Sequence, residues 1–262
     1  MRATAPLPCQ SMARRELHDR YFRQAKREGY LARSAYKLIE IDDKRKLIRK
    51  GDRVIDLGCA PGSWLQVAAE RTGSRGFVVG IDLKPVSGPF ARNVRTVVGD
   101  FTEIDPADLL DKEGRLANVV LSDMAPNTSG HGDHFMSVRL CEQILDRLPL
   151  LLRKGGSFAM KVFEGEAFPP LLERTRQSFH DVKVIKPKAT RDVSREVFVT
   201  AKRYKPPVIE PDDRADESAG APPPPAATPS TGRGDEPPPP PPGWFDPPAP
   251  SGNGSDPERT GS

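Results

Sequence analysis

Between residues 53 and 202 the chain repeatedly switches from short β-branched, apolar runs to longer stretches with helical spacing, and this alternation constrains the fold more than any other feature. The β-type runs are RVIDL (53–57), GFVVGIDL (76–83), VRTVVG (94–99), ANVVLSD (117–123), SFAMKVF (157–163), DVKVIK (181–186) and EVFVTAK (196–202). Helical patterns occupy 63–72, 134–153 and 167–179. Strands that alternate with helices form an open, mainly parallel sheet covered on both faces. The last two runs are joined by PKATRDVSR, which has no crossover helix and suits an antiparallel neighbour. The expectation is an α/β fold with a seven-stranded, mainly parallel sheet whose last strand is antiparallel. Ahead of it, the charged stretch from Ala13 to Ile48 reads mainly as helix, with Leu38, Ile39, Ile41, Leu47 and Ile48 as its apolar contacts.

The end of the chain has a different texture. From Lys205 onward lie 18 of the 29 prolines, including the runs Pro222–Pro225 and Pro237–Pro242, and little there can bury a core. The expected organisation is a flexible N-terminus (1–17), a folded domain (18–204) and a disordered, proline-rich tail (205–262) of polyproline II character. Trp244 and Phe245 in PPGWFDPP are candidates for a docking motif within it. The tail holds four Lys/Arg against ten Asp/Glu, so the formal net charge of +4 conceals a strongly basic body. Residues 1–50 alone carry 14 Lys/Arg against six Asp/Glu. A basic lobe beside a nucleotide-type fold points to a polyanion partner.

Cys9, Cys59 and Cys141 are far apart and form no CxxC pair, a reduced, cytoplasmic pattern of usage without a zinc site. His131 and His134 in HGDH lack a third ligand and read as surface polarity, so no metal is expected. No apolar run approaches the roughly 18 residues of a membrane span.

In a doubly wound sheet the ligand sits at the carboxyl ends of the strands. The first strand runs into Gly58-Cys59-Ala60-Pro61-Gly62, whose G-x-x-x-G spacing is not the G-x-G-x-x-G of a dinucleotide site. A nicotinamide-dependent dehydrogenase is disfavoured on that ground. Asp82 follows Gly62 by 20 residues at the second strand tip, where a carboxylate accepts both ribose hydroxyls, and Asp100 at the third tip suits an adenine amino group. A glycine turn with two acidic strand ends describes adenosine without requiring phosphates, and S-adenosylmethionine is such a ligand. NVVLSD and SFAMK each end in a single ionisable residue, Asp123 and Lys161, where this fold places its active site.

The motifs EGYLARSAYKLIEID, DLGCAPGSW, GIDL, SDMAPNTSG, MKVFEGE and KPKATRDVSREVFV, in this order over about residues 18–204, resemble the FtsJ/RrmJ-type ribose 2′-O-methyltransferases. Bacterial members of that family modify a uridine of 23S ribosomal RNA. Ser63 and Leu65 depart from the family's usual APGGWSQ. The resemblance implies a Rossmann-like methyltransferase fold with S-adenosylmethionine contacts at Gly62, Trp64, Asp82, Asp100 and Asp123. It also implies a catalytic set of Lys37, Asp123, Lys161 and Glu196, with Lys161 as proton acceptor. The expected partner is 23S rRNA or the large ribosomal subunit, and the expected protein is a cytoplasmic monomer. The same chemistry on tRNA or an mRNA cap stays open, as does a non-catalytic RNA-binding relative.

Methyl transfer to a ribose hydroxyl is an in-line displacement that also requires removal of a proton. A lysine of ordinary pKa, about 10.4, costs about 4 to 5 kcal/mol to deprotonate at neutral pH, so the site must ease that step. Asp123 and Glu196 are assigned to orientation, without a division of roles. Arg14, Arg15, Arg20, Arg23, Lys26, Arg27 and Arg33 supply phosphate contacts, interleaved with Tyr21, Phe22, Tyr30 and Tyr36 for stacking on bases or for packing. Lys186, Lys188 and Arg191 form a second basic patch beside Glu196.

Overall fold

Apolar alternation organises seven strands into one sheet of order β3-β2-β1-β4-β5-β7-β6. The computed structural model describes residues 20–126, 133–190 and 194–207. Helix α1 covers residues 20–28, and α2 is Ala35–Arg45. There follow β1 (Arg53–Leu57), α3 (Ser63–Thr72), β2 (Phe77–Asp82), β3 (Val94–Val98), β4 (Ala117–Ser122), α4 (Asp133–Leu151), β5 (Leu152–Phe163), α5 (Phe168–Ser178), β6 (Phe179–Ile185) and β7 (Glu196–Tyr204). The pairs β1/β2, β2/β3, β1/β4 and β4/β5 are parallel, whereas β7 runs antiparallel to both β5 and β6. The chain moves outward from β1 to β3 on one side and resumes at β4 on the other. The crevice beyond β1 and β4 is therefore the topological switch point.

Two apolar layers cover the sheet. Ile55 and Leu57 face the layer completed by α4 and α5, with Ile144, Leu148 and Phe158. Val54 faces the layer of α2 and α3, with Leu38, Ile41, Trp64, Val67 and Phe198. Asp56 shares the face of Val54 by strand alternation and is fully buried.

The expected N-terminal helix is two helices. Gly29 sits at φ +80°, outside the helical region, and breaks the run so that α2 folds back over the sheet. β5 begins at Leu152, five residues before its apolar run. Its first turns, Arg-Lys-Gly-Gly, carry no apolar signal, and the ladder with β4 shifts register between Ala117 and Val119.

The N-terminus (1–17) with Cys9, Arg14 and Arg15, His131, Arg191, and the tail beyond residue 207 with Trp244 and Phe245 lie outside the described residues. Among the described residues no helix is long and apolar enough to cross a membrane, and no three His, Cys, Asp or Glu converge on a metal-sized site.

Candidate active site

The turn after β1 is built for close approach. Gly58 and Cys59 donate their N–H groups to the carbonyl of Ile81, at 2.8 and 3.1 Å, which ties the turn to the end of β2. Gly58 has φ +76°, and a Cβ there would lie 2.3 Å from Cγ of Met124. Gly62, at φ +111°, is the N-cap of α3 and lies against Phe90 and Leu31. Asp82 accepts from the Ala60 N–H through Oδ2 at 2.9 Å and from the Lys84 N–H through Oδ1 at 3.0 Å. Each oxygen keeps a lone pair for a ligand hydroxyl.

Beyond the turn opens a cavity of about 510 Å³, lined by Gly58, Ala60, Asp82, Asp100 and Asp123, with Ile81, Phe101, Met124 and Leu140 as apolar wall. This lies in the range of small-molecule sites, and its few carboxylates on an apolar surface are the usual composition of one. Asp100 accepts the Thr102 N–H and hydroxyl on Oδ1, at 2.8 and 2.7 Å, which hold its carboxyl below the ordinary aspartate value and leave Oδ2 for a ligand. Of the five expected cofactor residues, Asp82, Asp100 and Asp123 meet here. Gly62 and Trp64 are not in the cavity wall. Trp64 is 2% exposed, donates its indole N–H to the Ser34 carbonyl at 2.9 Å and packs against Phe198 at 5.7 Å between ring centroids. Gly58 and Ala60 of the glycine turn are in the wall, as is Met124, which sequence reasoning did not single out.

The four expected catalytic residues form two ion pairs. Lys161 Nζ donates to Asp123 Oδ1 at 2.9 Å and also to the Asp123 carbonyl. Lys37 Nζ donates to Glu196 Oε1 at 2.6 Å, and the Thr190 hydroxyl donates to the same oxygen at 3.3 Å. Phe198 connects the pairs. It stands directly opposite Lys161 in the β5/β7 ladder, and its ring lies 5.7 Å from Lys37 Nζ. Asp123 alone belongs both to the cavity wall and to a lysine pair.

Asp56 was not anticipated. Among the described residues neither of its carboxyl oxygens has a hydrogen-bond partner, and burial, then the charges of Asp123 and Asp82, push its pKa well above the usual 3.8. The shift also fixes a sign: with the folded pKa raised, this stabilising contribution is full below the unfolded value and is lost as pH rises through the folded one. Asp56→Asn lacks that loss. The melting temperature of the variant minus that of the wild type should therefore increase as pH rises above the ordinary aspartate value in ligand-free protein. Parallel pH profiles would show that Asp56 does not titrate within the fold.

The basic surfaces divide. On α1, Arg20, Phe22, Arg23, Lys26 and Arg27 line one exposed groove, and Phe22 is 61% exposed. Tyr30 and Tyr36 instead donate their hydroxyls to Glu70 and Glu28, each at 2.8 Å, and the Tyr36 ring packs on Tyr21 and Tyr30. These three tyrosines fasten α1 to the body, leaving Phe22 as an exposed aromatic of α1. Beside the Glu196 pair, Lys186 binds the Ser194 carbonyl at 2.8 Å and the Lys188 N–H binds Glu40 at 2.7 Å.

The FtsJ-like methyltransferase family model matches residues 30–204. The chain belongs to that family. It is 46% identical over 191 residues to the ribosomal RNA large subunit methyltransferase E of Syntrophobacter fumaroxidans, covering 72% of this chain and 97% of that one. It is 41% identical over 190 residues to the protein of the same name from Methanothermobacter thermautotrophicus, covering 71% and 90%. Among solved structures, a protein named as a ribosomal RNA methyltransferase from Plasmodium falciparum superposes with a TM-score of 0.58 at 29% identity, covering 67% of this chain and 98% of that one. The FtsJ-like family match thus spans the domain that holds the cavity and both ion pairs.

Proposed function

We propose that this chain transfers a methyl group from S-adenosylmethionine to a ribose 2′-hydroxyl of a uridine in 23S rRNA of the large ribosomal subunit. The observation that carries the reading is the position of Asp123, shared between an adenosine-sized acidic cavity and Lys161. The rRNA part rests on the relatives, whose names give ribosomal RNA of the large subunit as their substrate.

The cavity fits the cofactor. Asp82 would accept the ribose hydroxyls, and Oδ2 of Asp100 would accept from the adenine amino group. When bound, S-adenosylmethionine supplies an electrophilic methyl group. The remaining work falls to the lysines. A neutral Lys161 amine has two N–H groups and one lone pair. Asp123 takes both donors, one on its carboxylate and one on its carbonyl, and so directs the third tetrahedral position outward. From there the lone pair accepts the proton of the incoming 2′-hydroxyl as its oxygen attacks. Glu196 holds Lys37 beside that position, where its charge and hydrogen bonds orient the hydroxyl and the adjoining phosphate.

Asp82→Ala removes the acceptor of both ribose hydroxyls and should weaken S-adenosylmethionine binding by roughly 1.5 to 3 kcal/mol, as expected for charge-assisted hydrogen bonds. Calorimetric titration measures this, and equal affinity in the variant removes Asp82 from the site. The function itself is tested by incubating the full-length chain with labelled S-adenosylmethionine and, separately, rRNA, tRNA and intact ribosomal subunits, then mapping the labelled nucleotide. Label on a 23S uridine ribose supports the reading. Label confined to tRNA overturns the substrate and keeps the chemistry, whereas label on no RNA overturns both.

A further inference from the structure

At the opposite end of the sheet from the lysine pairs lies a second concentration of positive charge. Lys46, Arg49, Arg153, Lys202 and Arg203 surround a recess of about 100 Å³ that contains one carboxylate, Asp52. Lys46, Arg49, Arg153 and Arg203 are exposed. Arg49, Arg153 and Arg203 form no ion pair among the described residues, and Lys46 reaches only the exposed Asp43, at 3.8 Å. Asp52, whose Oδ2 accepts the Arg49 backbone N–H at 2.7 Å, sets one carboxylate against five cations and so leaves the recess positive. Neutral donors complete the recess: Ser157 offers a hydroxyl, and Asn118, whose Oδ1 accepts the Arg53 N–H at 3.0 Å, turns its amide NH₂ to other partners. The recess is far below the roughly 300 Å³ at which small-molecule sites begin, and it suits a single tetrahedral anion.

The backbone points the same way. Lys46 (φ 49°) and Arg203 (φ 61°) are the positive-φ residues other than glycine in the described chain, and both belong to this cluster. A long side chain in the left-handed region costs stability that glycine would not, and such strain gathers at functional positions. Lys46 takes this conformation as the left-handed C-cap of α2, its N–H closing on the Asp42 carbonyl at 2.6 Å, so helix termination accounts for it; Arg203 is exposed within β7 and caps no helix, so its conformation is the one that packing leaves unexplained.

We propose that this recess binds a phosphate of the RNA backbone and so forms a second anchor, remote from methyl transfer; the proposal rests on the reading of the chain as an RNA methyltransferase. Two elements give the separation. Helix α2 carries Lys37 into the lysine pairs and ends at Lys46 nine residues later, about 14 Å at 1.5 Å per residue. Strand β5 leads from Ser157 at the recess to Lys161, four residues or about 13 Å away. An RNA strand passing around the domain therefore has to extend several nucleotides beyond the methylated ribose to reach the anchored phosphate. The chain thus holds its substrate at both ends of α2, and only an RNA long enough to span it engages both.

The test uses full-length Arg49→Gln/Arg153→Gln and Arg203→Gly, with rRNA fragments extending either two or ten nucleotides on each side of the target ribose. On the longer fragment the double variant should bind about tenfold more weakly at 0.1 M salt, with the slope of log affinity against log salt reduced by about 0.7 to 0.9 for each phosphate that is no longer neutralised. On the shorter fragment it should match the wild type. Its rate should fall at limiting RNA and recover at saturating RNA, with S-adenosylmethionine affinity unaltered. Arg203→Gly should melt at or above the wild-type temperature yet bind the long fragment more weakly. Unchanged affinity and salt slope on the long fragment, while the wild type methylates it, overturn the anchor alone. So does an Arg203→Gly variant that melts lower and binds RNA normally, since Arg203 would then be a packing residue. A wild type that neither binds nor methylates rRNA overturns the substrate reading and the anchor with it.

Discussion

Lys161→Ala is expected to slow methyl transfer in a single turnover by about 10² to 10⁴-fold, the range that a positioned general base contributes. Binding of S-adenosylmethionine and RNA should be largely retained, because the interaction removed is realised only in the transition state. The side chain is 9% exposed and its partner Asp123 18%, so deletion leaves a partly buried carboxylate without its cation. A melting curve must therefore accompany the kinetics, to separate lost chemistry from lost structure. Lys161→Arg is the sharper substitution, since arginine preserves the charge but does not release its proton at neutral pH. A near-normal single-turnover rate for Lys161→Arg on saturating RNA would make Lys161 a positioning residue and end its assignment as proton acceptor.

The sheet was legible because strand signals are local. β1 begins and ends where RVIDL does, and β7 is antiparallel because the β6–β7 loop has no helix. The acidic cavity residues were legible for the same reason: Asp82, Asp100 and Asp123 stand at strand tips, and the tips converge in this topology. What could not be read is whatever depends on register. Lys161 stands opposite Phe198, which sets Glu196 two residues earlier in β7 and toward Lys37, whereas Lys161 turns to Asp123. No run length in the sequence determines that offset.

Two other features carried a signal of their own. Trp64, Val67 and Ala68 recur at helical spacing and are buried together, so the indole belongs to the core stripe of α3, not to the cavity wall. Alternation in β1 likewise pairs Asp56 with Val54 on a buried face, which singles out that aspartate as the unusual residue of the strand. The tyrosines of the basic lobe were beyond local reasoning, because Tyr36 meets Tyr21 and Tyr30 only through the chain reversal at Gly29.

Phe198→Ala should destabilise the domain by about 3 to 5 kcal/mol, the usual range for emptying a phenylalanine site in a core. At about 2 to 4 °C per kcal/mol for a domain of this size, the melting temperature should fall by roughly 6 to 20 °C. Phe198 is fully buried, and its ring carries two loads at once. It packs on Trp64, the first large side chain of α3 after the glycine turn, and it offers its face to Lys37. Removing it loosens the turn's support and frees the lysine that Glu196 holds. Phe198→Leu separates the two effects, since leucine fills most of the space but presents no π-face, an interaction worth about 0.5 to 2 kcal/mol. Leucine should therefore recover much of the melting temperature and less of the methyl-transfer rate, measured where both variants are folded. A Phe198→Ala protein within about 0.5 kcal/mol of the wild type, the usual spread for surface substitutions, would contradict the packing. A Phe198→Leu protein with full activity would show that the ring face does nothing for Lys37.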